Sequence, residues 1–517
     1  MRIKLLDGHD CIGGNKILIS SESGESFLLD FGLNFKRWSF YFEEYLKPRS
    51  GKILQDLLKL DLIPKMDIYR TDLLPPRFES KEKIKFTFLS HAHSDHSGFV
   101  GLIHEHIPLV MTSETFALLN VADQLRSFVW EQLAIKTRAP SNDEHIREDV
   151  LIPDKKKKKR KICLQNSVSF SEENFDFIES SQCWPWFMMV LPVYHSVLGA
   201  AALCVEVDDI LLIYTGDLRA SPAREEKEFW IEKLGERRLA LSQRTEKFVE
   251  EVRRLRSLKS KPMVLIVEGT RVNRENDSVN DERTVYENTL EVTSKARKLV
   301  IADFPTKHLE RLMTFLKVAQ ECDRVLVLPP KDFAYLRLMG EIESTWKLSS
   351  EELQGVRVYH VAKVEFSKLE KDAILFARAN DLLVGPKELN RDPQKYVLAA
   401  GYFDMSQILD VDEKALNGSI YIHSTSEAYT EEQQMDYKRL RNWFAKFGIK
   451  PFGLILNDEE LVFTKEFHAS GHLSAKDLEN LIDSLNPDII LPVHTEDKNW
   501  FIERWGDKVR VQEDVYL

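Results

Sequence analysis

One short stretch of the chain crowds metal-ligand residue types directly after an apolar run. The stretch "LSHAHSDHSGF", residues 89–99, contains His91, His93, Asp95 and His96. The residues just before it, "IKFTFL", alternate between apolar and polar, which predicts a strand. His91 and His93 lie two apart, so they share one face of an extended segment. Imidazole and carboxylate groups suit zinc, and the pattern therefore predicts a metal site where this strand ends.

Three other apolar runs end in residues that also bind metals. The run "MMVLPVYHS" contains His195, "ILLIYTGD" ends in Asp217, and "DIILPVH" ends in His494. An acidic or imidazole residue at the end of a buried strand is costly unless it is paired or metal-bound. Each one alone is also compatible with a hydrogen-bonded polar residue of the core. Together with the first stretch they supply ligands for two metal ions, and manganese suits such ligands as well as zinc.

The order of these residues resembles that of a known superfamily. "HAHSDH" is similar to the HxHxDH signature of the metallo-β-lactamase superfamily, and Asp30 in "LLDFG" precedes it as that superfamily expects. The resemblance implies an α/β fold, the metallo-β-lactamase αββα sandwich, with two zinc ions per chain. The ligands that it implies are His91, His93 and His195 for one zinc, Asp95, His96 and His494 for the second, and Asp217 as the bridge. Asp30 would support these ligands from behind.

Three motifs in the second half narrow the resemblance to one family. They are "LIVEGTR" with Glu268, "HASGHLSAKDL" with His472, and "LPVHTE" with His494. Their order is similar to motifs A, B and C of the β-CASP nucleases, which include ribonuclease J and the mRNA 3′-end cleavage nuclease. That family inserts a second αβ domain into the sandwich. Its third motif is typically histidine in RNA-acting members and valine in DNA-acting members, so His494 implies single-stranded RNA as the substrate.

The family resemblance implies a two-metal hydrolysis of RNA phosphodiester bonds that leaves a 5′-phosphate and a 3′-hydroxyl. Asp95, His472 and Glu268 are the expected catalytic residues, with His472 as the general acid and Glu268 orienting its ring. Ser470 and Ser474 lie on either side of His472 and are expected to contact the substrate. Ser474 also suits the N-cap of the helix that follows. Exonuclease and endonuclease cleavage both stay open.

A further segment, "IADFPTKHLERLMTFL", also resembles part of the β-CASP domain. It predicts a strand that ends at Phe304 and a helix that begins at Pro305 and Thr306. Exposed N–H groups at such a helix start can hold a phosphate, aided by Lys307 or His308. An ordinary capped helix explains the same residues without a ligand.

The pattern of strands and helices predicts one αβ domain interrupted by another. We expect residues 1–222 and 419–517 to form the metallo-β-lactamase domain and residues 223–418 to form the inserted β-CASP domain. Continuous apolar strands between helices favour a mostly parallel sheet in the insertion. The irregular stretch 36–80 is predicted to be an insertion, either a cap over the RNA channel or a subunit contact in a homodimer.

Composition limits the cellular setting. The chain has 517 residues, 43% of them hydrophobic, without a run of apolar residues long enough to span a membrane. Its N-terminus lacks the pattern of a signal peptide. The five cysteines are widely spread and form no CxxC pair, which favours buried thiols in a reducing environment. We therefore expect a cytoplasmic protein.

The charge pattern gives a mixed signal for nucleic-acid binding. The formal net charge of −11 counts mildly against it. One run, "DKKKKKRK" with Lys155 to Lys161, is strongly basic. It is interpreted either as a solvated surface loop or as an arm that attracts phosphates.

Three alternatives to an RNA nuclease stay open. A DNA nuclease of the same architecture would use the same residues. A small-molecule hydrolase of the superfamily, such as a lactonase, has no use for Glu268, the SGH motif or a large inserted domain. A non-catalytic scaffold would be expected to have lost metal ligands that this sequence retains.

Overall fold

Strands and helices alternate along the computed structural model of the chain, which describes residues 1–43, 45–78, 82–125, 130, 132–165, 175–179, 184–274, 280–457 and 460–517. The strands are β1 (Arg2–Asp7), β2 (Lys16–Ser20), β3 (Glu25–Leu29), β4 (Lys83–Phe88), β5 (Leu109–Met111), β6 (Ile135–Pro140), β7 (Leu151–Lys158), β8 (Arg160–Leu164), β9 (Phe175–Phe177), β10 (Met188–Pro192), β11 (Ala201–Val207), β12 (Ile210–Tyr214), β13 (Met263–Glu268), β14 (Val300–Asp303), β15 (Val325–Leu328), β16 (Val356–Tyr359), β17 (Leu383–Val384), β18 (Tyr396–Ala399), β19 (Ile420–His423), β20 (Lys450–Phe452), β21 (Leu454–Asn457), β22 (Glu460–Phe463), β23 (Ile489–Val493) and β24 (Asp514–Tyr516). The helices are α1 (Phe35–Trp38), α2 (Ile53–Lys59), α3 (Ser94–Ser97), α4 (Ser113–Gln124), α5 (Arg224–Lys233), α6 (Glu236–Ser242), α7 (Arg244–Lys259), α8 (Glu282–Lys295), α9 (Leu309–Glu321), α10 (Pro330–Ile342), α11 (Ser350–Gln354), α12 (Lys368–Ala379), α13 (Pro386–Arg391), α14 (Glu413–Leu416), α15 (Glu431–Phe447), α16 (Ala475–Leu485) and α17 (Asn499–Trp505).

The chain forms two compact units, and each is built from separate segments. The first unit comprises Met1–Ser221, Gln243–Asp277 and Gly471–Leu517, and the second comprises Pro222–Ser242 and Ser278–Ser470. Both units combine sheets with helices, so the α/β class expected from the sequence is correct.

Two mixed sheets form the centre of the first unit. The larger has the strand order β24-β1-β2-β3-β4-β5-β8-β9, and the smaller has the order β10-β11-β12-β13-β23. A shared apolar core joins one face of each sheet, because Ile17 and Phe86 of the larger sheet pack in one cluster with Leu203 and Ile266 of the smaller. The two sheets therefore stack face to face, as in a sandwich.

Helices cover the other face of the smaller sheet. Cys204 and Leu265 point away from the shared core and pack in a second cluster with Val252 of α7, Ile482 of α16 and Phe501 of α17. Successive side chains of a strand point to opposite faces, which is why neighbours such as Leu203 and Cys204 serve different cores.

The second unit has an all-parallel sheet with the strand order β17-β16-β15-β18-β14-β19-β20. Its short strands are almost wholly apolar, as expected for a sheet that helices cover on both faces. Ile301 and Leu398 pack with Leu440 and Phe444 of α15 in the core of this unit.

The boundaries of the units differ from those expected from the sequence. The expected insertion, 223–418, includes β13, but Met263–Ile266 of this strand pair in parallel with Leu211–Tyr214 of β12 in the first unit. At the other end, β19 lies beyond residue 418 yet pairs with β14, so the second unit continues to Ser470.

The lysine run is a strand and not the surface loop considered above. Lys155–Lys158 belong to β7, which pairs with β6 in a separate two-stranded ribbon. Lysine has a low strand propensity, and the pairing with β6 overrides it. Arg160, which opens β8, is fully buried.

Part of the stretch 36–80 packs into the first unit, although the sequence looked irregular there. Helix α2 buries Ile53, Leu54 and Leu57. Residues 44, 79 and 80 of the stretch lie outside the described part of the chain.

The structure bears on two features used above to predict the cellular setting, membrane-spanning segments and cysteines. Among the described residues, no helix is both long enough and apolar enough to cross a membrane. Cys11, Cys163, Cys204 and Cys322 are free thiols. The fifth cysteine, Cys183, lies outside the described residues.

Candidate metal centre

The candidate ligands lie where strands of the two stacked sheets end. Strand β4 ends at Phe88, and His91 and His93 follow it, while α3 carries Asp95 and His96. In the smaller sheet, the residues that follow strand ends are His195 after β10, Asp217 after β12 and His494 after β23. The sheets thus bring together, within the first unit, side chains that are far apart in sequence.

These side chains form two groups that share Asp217. One group comprises His91, His93, His195 and Asp217, and the other comprises Asp95, His96, His494 and Asp217. In each group, the candidate ligand atoms all lie within 4.8 Å of one another. This separation is the one expected of donors arranged around a single cation.

The first group converges on His93. Its Nδ1 lies 3.1 Å from His91 Nε2 and 3.2 Å from His195 Nε2. Asp217 Oδ2 lies 3.7 Å from His91 Nε2 and 4.0 Å from His195 Nε2. Three imidazole nitrogens and one carboxylate oxygen therefore face the same small volume.

The second group lies around the same carboxylate oxygen, Asp217 Oδ2. Asp217 Oδ2 lies 3.1 Å from His96 Nε2 and 3.7 Å from His494 Nε2. Asp95 Oδ2 lies 3.2 Å from His494 Nε2. One oxygen of Asp217 thus faces both groups, which is the position of a bridging ligand between two metal ions.

Asp30 fixes the ring of His96 from behind. Its Oδ2 accepts hydrogen bonds from His96 Nδ1 at 2.7 Å, from the Ser90 hydroxyl at 2.7 Å and from the Tyr214 hydroxyl at 2.5 Å. A carboxylate only accepts, so His96 donates from Nδ1 to Asp30, and its Nε2 faces Asp217 Oδ2. Asp30 has a positive φ of 56°, an unusual backbone conformation for this residue.

Hydrogen bonds also identify the protonated ring nitrogen of His195 and of His91. His195 Nδ1 donates to the carbonyl oxygen of Gly471 at 2.6 Å, so its Nε2 faces the centre. The Ser90 hydroxyl donates its one hydrogen to Asp30 and therefore accepts from His91 Nδ1 at 3.0 Å. The rings of His195 and His91 are thus held by hydrogen bonds on the side away from the centre, as metal-ligating histidines usually are.

Thr270 orients the ring of His494 and also bonds the carboxylate of Glu268. Its hydroxyl donates to Glu268 Oε2, at 2.5 Å, and lies 2.9 Å from His494 Nδ1. With its one hydrogen used on Glu268, Thr270 accepts from His494 Nδ1–H, which leaves His494 Nε2 to face Asp95 and Asp217.

Burial and neighbouring charges set the pKa values of the centre. Burial, followed by the charges of the neighbouring histidines, holds the pKa values of His91 and His195 well below the usual range, so both rings are neutral. Burial also opposes ionisation of Asp217, but the facing rings of His494 and His96 hold the pKa of its carboxyl well below normal. Burial opposes protonation of His96 too, but the carboxylates of Asp217, Asp95 and Asp30 hold the pKa of this ring well above normal, and a bound cation would displace its Nε2 proton.

The buried donors fit a divalent cation. Within the part of the chain that the structure describes, Asp217 Oδ1 and His96 Nε2 are buried and have no hydrogen-bond partner. Leaving such atoms unpaired costs free energy. The lone pairs of His91 and His195 point into the first group, and His96 Nε2 faces the second, so one cation in each group would give these nitrogens a partner.

His472 and Glu268 lie beside these groups. His472 Nδ1 donates to Glu268 Oε2 at 2.8 Å and lies 3.9 Å from Asp217 Oδ2. Glu268 Oε1 accepts from the backbone N–H of Leu218 at 2.9 Å, which fixes the carboxylate. Burial disfavours the charged ring, but Glu268 and then Asp217 raise the pKa of His472 to about 9. At neutral pH the ring is therefore protonated and able to donate a proton.

Two of the residues expected to contact a substrate, Ser474 and Thr306, form hydrogen bonds within the protein. Ser474 caps α16, because its hydroxyl accepts from the backbone N–H of Asp477 at 3.1 Å. Thr306 and Lys307 precede α9, which begins at Leu309, so the helix starts later than the sequence predicted. The hydroxyl of Thr306 bonds the buried Asp332.

Thr306, Lys307 and Ser470 belong to the second unit and Ser474 to the first. Substrate binding by these four residues stays a prediction.

Sequence reasoning missed three residues that hold the ligands: Ser90, Tyr214 and Thr270. Each lies within three positions of a predicted site residue, since Ser90 precedes His91, Thr270 follows Glu268 by two positions and Tyr214 precedes Asp217 by three. Hydroxyl residues are common at strand ends, so nothing in the pattern alone marked these.

Comparison with known proteins shows the fold but no activity. No protein-family model matches the chain, and no curated protein matches it. A solved structure described as that of a protein of unknown function from Enterococcus faecalis V583 is similar over 100% of this chain and 99% of that chain, with 20% sequence identity and a TM-score of 0.66. The two chains therefore share their fold along their whole length.

Proposed function

We propose that the protein is a zinc-dependent ribonuclease that hydrolyses RNA phosphodiester bonds with two metal ions per chain. The observation that carries the proposal is the position of Asp217, whose Oδ2 faces both the His91 group and the His96 group. A carboxylate shared by two His/Asp groups is an arrangement that two-metal hydrolases use. Manganese in place of zinc is compatible with the same donors.

The architecture supports a specific family. The first unit stacks two sheets with helices on the smaller one, and the second unit, with its parallel sheet, is built from segments inserted into the first. We propose that these are the metallo-β-lactamase sandwich and the β-CASP insertion that the sequence motifs resemble. Fold alone does not choose a reaction. The choice of a nuclease rests on Glu268 and His472 next to the metal groups.

The ligands would hold the ions as the sequence resemblance implies. His91, His93 and His195 would bind one ion, Asp95, His96 and His494 the other, and Asp217 both. Two bound ions would activate water as a nucleophile at neutral pH and neutralise charge on the scissile phosphate. Asp30, Ser90 and Thr270 would keep the ligand rings oriented, because each accepts a ring N–H or fixes a group that does.

His472 is the proposed general acid. Its Nδ1 is committed to Glu268, so a transferable proton is on Nε2. Loss of the Nε2 proton to the leaving 3′-oxygen leaves a neutral ring that stays bonded to Glu268. The products are a 5′-phosphate and a 3′-hydroxyl. Bound cations would lower the pKa of His472 from the value of about 9 and bring it closer to neutrality.

The experiment that tests the proposal uses matched single strands of RNA and DNA of one sequence, labelled at the 5′ end in one preparation and at the 3′ end in another. Full-length protein loaded with zinc is expected to cleave the RNA strand and to leave products with 5′-phosphates. The variant His91→Ala is expected to be inactive, whereas His145→Ala, which changes an exposed histidine away from the centre, is expected to retain activity.

Each contrary result has a distinct meaning. Preferential cleavage of DNA would support a DNA nuclease of the same fold. Absence of cleavage of both strands with zinc and with manganese would refute a nuclease.

A further inference from the structure

The ribbon of β6 and β7 presents a basic face that the metal centre does not explain. Lys155 and Lys157 are both exposed and lie two apart on β7, so their side chains point to the same side. Lys136 of β6 is exposed and lies directly opposite Lys157 in the register of the ribbon. We call Lys136, Lys155 and Lys157 the basic face.

Two lysines of the basic face carry charges that no described residue pairs. Other lysines of the run are compensated, since Lys158 Nζ pairs with Glu105 at 2.5 Å and Lys159 Nζ lies 3.8 Å from Asp176. Within the described part of the chain, no carboxylate forms an ion pair with Lys155 or Lys157, so both ammonium groups are available to an anionic ligand.

Two arginines fix the ribbon to the segment that follows the metal-ligand loop. Arg70 donates from Nη2 to the carbonyl oxygen of Lys136 at 2.9 Å and from Nη1 to that of Gly101 at 3.3 Å. The buried Arg160 donates from Nη2 to the carbonyl oxygen of Ile103 at 3.1 Å and from Nε to that of Leu133 at 3.1 Å. Gly101 and Ile103 follow His96 closely in the chain, so the basic face is held on the same scaffold as the candidate ligands.

We propose that the basic face binds the phosphates of single-stranded RNA outside the metal centre. The inference rests on the proposed ribonuclease function and names a surface that would hold the substrate. Alternate residues of a strand are about 7 Å apart, a spacing comparable to that of successive phosphates in an extended nucleic-acid strand. Ammonium groups at this spacing can each neutralise one phosphate and release its counterions.

An RNA strand fits this face better than an anionic membrane does. The chain has a net charge of −11, which opposes close approach to an extended anionic membrane. A single strand meets only the local field, because charges beyond about 8 Å are screened at physiological salt. Membrane-surface segments also need an apolar side that inserts. The exposed part of β7 from Lys155 to Lys157 carries only lysines.

The test measures binding of a fluorescent, single-stranded RNA with phosphorothioate linkages that resist cleavage. Anisotropy is recorded with the zinc-loaded, full-length protein at several KCl concentrations. The variant Lys136→Gln/Lys155→Gln/Lys157→Gln is compared with Lys247→Gln/Lys371→Gln/Lys387→Gln, which removes the same charge from exposed lysines elsewhere. A third variant with arginine at the three positions of the basic face keeps the charge.

The basic-face glutamine variant is expected to bind about tenfold more weakly, and the slope of log K against log salt is expected to be shallower by about 2. The arginine variant and the Lys247/Lys371/Lys387 control should match the parent. Melting temperatures identify any loss of folding. If the triple variant is unstable, the double variant Lys155→Gln/Lys157→Gln replaces it, and a smaller loss of affinity and a smaller change in slope are expected.

The outcomes separate this inference from the proposed function. Parental affinity and slope in the basic-face variant, in a protein that cleaves RNA, would overturn the inference and leave the function intact. Lysine-dependent binding to phosphatidylserine vesicles without RNA binding would also overturn it. Lysine-dependent RNA binding by a protein that cleaves no RNA would support the surface while refuting the nuclease.

Discussion

The hydroxyl of Thr270 lies 2.9 Å from Nδ1 of His494 and couples that ring to the Glu268 carboxylate. A hydroxyl has one hydrogen, and Thr270 donates it to Glu268, so the contact with His494 is one in which the ring donates. The tautomer of His494 therefore depends on a residue that is neither a candidate ligand nor a candidate acid. Glu268 likewise serves both His472 and, through Thr270, His494.

Replacing Thr270 tests this coupling. Thr270→Val keeps the size of the side chain but removes the acceptor for His494 Nδ1–H. We expect zinc affinity to fall about 10–100-fold, as for other residues that orient metal ligands. Competition with a chromophoric chelator measures the change. Thr270→Ser retains the hydroxyl and should bind zinc as the parent does. Equal affinity in the valine variant would show that His494 is oriented by something else.

The shared position of Asp217 predicts different metal contents for two variants. His195→Ala removes a donor of one group only, so the other group should keep its ion. Asp217→Asn removes the negative charge that both groups face, so both ions should bind more weakly. Native mass spectrometry of the zinc-loaded proteins counts the ions directly. Two tightly held ions in Asp217→Asn would contradict a bridging role.

A buried acid in the second unit predicts a pH dependence of stability. Asp332 is 4% exposed, and burial raises the pKa of its carboxyl to about 7, although Lys331 opposes the shift and Asp404 adds to it. An unfolded chain has an aspartate pKa near 4. Between these values the folded protein binds a proton that the unfolded chain has lost. Stability therefore falls as pH rises from about 4 to about 7 and stays low above that range.

Asp332→Asn should abolish this part of the pH dependence. A neutral amide does not ionise in the buried site. The variant should therefore be more stable than the parent at pH 8, by up to about 4 kcal/mol, and should differ little from it at pH 4. Urea unfolding of the second unit at both pH values measures the difference. The exposed Asp372→Asn should leave the pH profile of the parent unchanged. A gain that is equal at pH 4 and pH 8 would point to packing in place of ionisation.

The sequence predicted the neighbourhood of the candidate centre because metal chemistry restricts which residues can serve. An imidazole or carboxylate at the end of a buried strand needs a partner, and the strands that end in His195, Asp217 and His494 were visible as apolar runs. The structure brings these side chains together with His91 and His96. Hydroxyl groups such as that of Thr270 carry no comparable restriction, so their roles emerge only from distances.

The order of strands within sheets was less accessible from sequence. The run Met263–Glu268 is apolar throughout, and such a run suits either sheet equally well. Its pairing with β12 and β23 depends on contacts that are distant in the sequence. The lysine-rich β7 shows the converse, because its composition favours a loop and only the partner strand β6 makes it extended.

His472→Ala tests the role of the general acid separately from metal binding. His472 forms a third cluster with Glu268 and Asp217, but its Nδ1 is bonded to Glu268 and it lies outside the two groups proposed to hold zinc, so the variant should keep both zinc ions. Loss of a positioned acid should lower kcat for RNA cleavage about 10²–10⁴-fold with little change in KM. A substrate whose leaving oxygen needs no proton, such as an RNA whose 5′-terminal phosphate is esterified with p-nitrophenol, should lose nitrophenolate at nearly the parental rate and keep its 5′-phosphate. Equal slowing on both substrates, with zinc retained, would assign His472 to positioning of the phosphate and not to protonation of the leaving group.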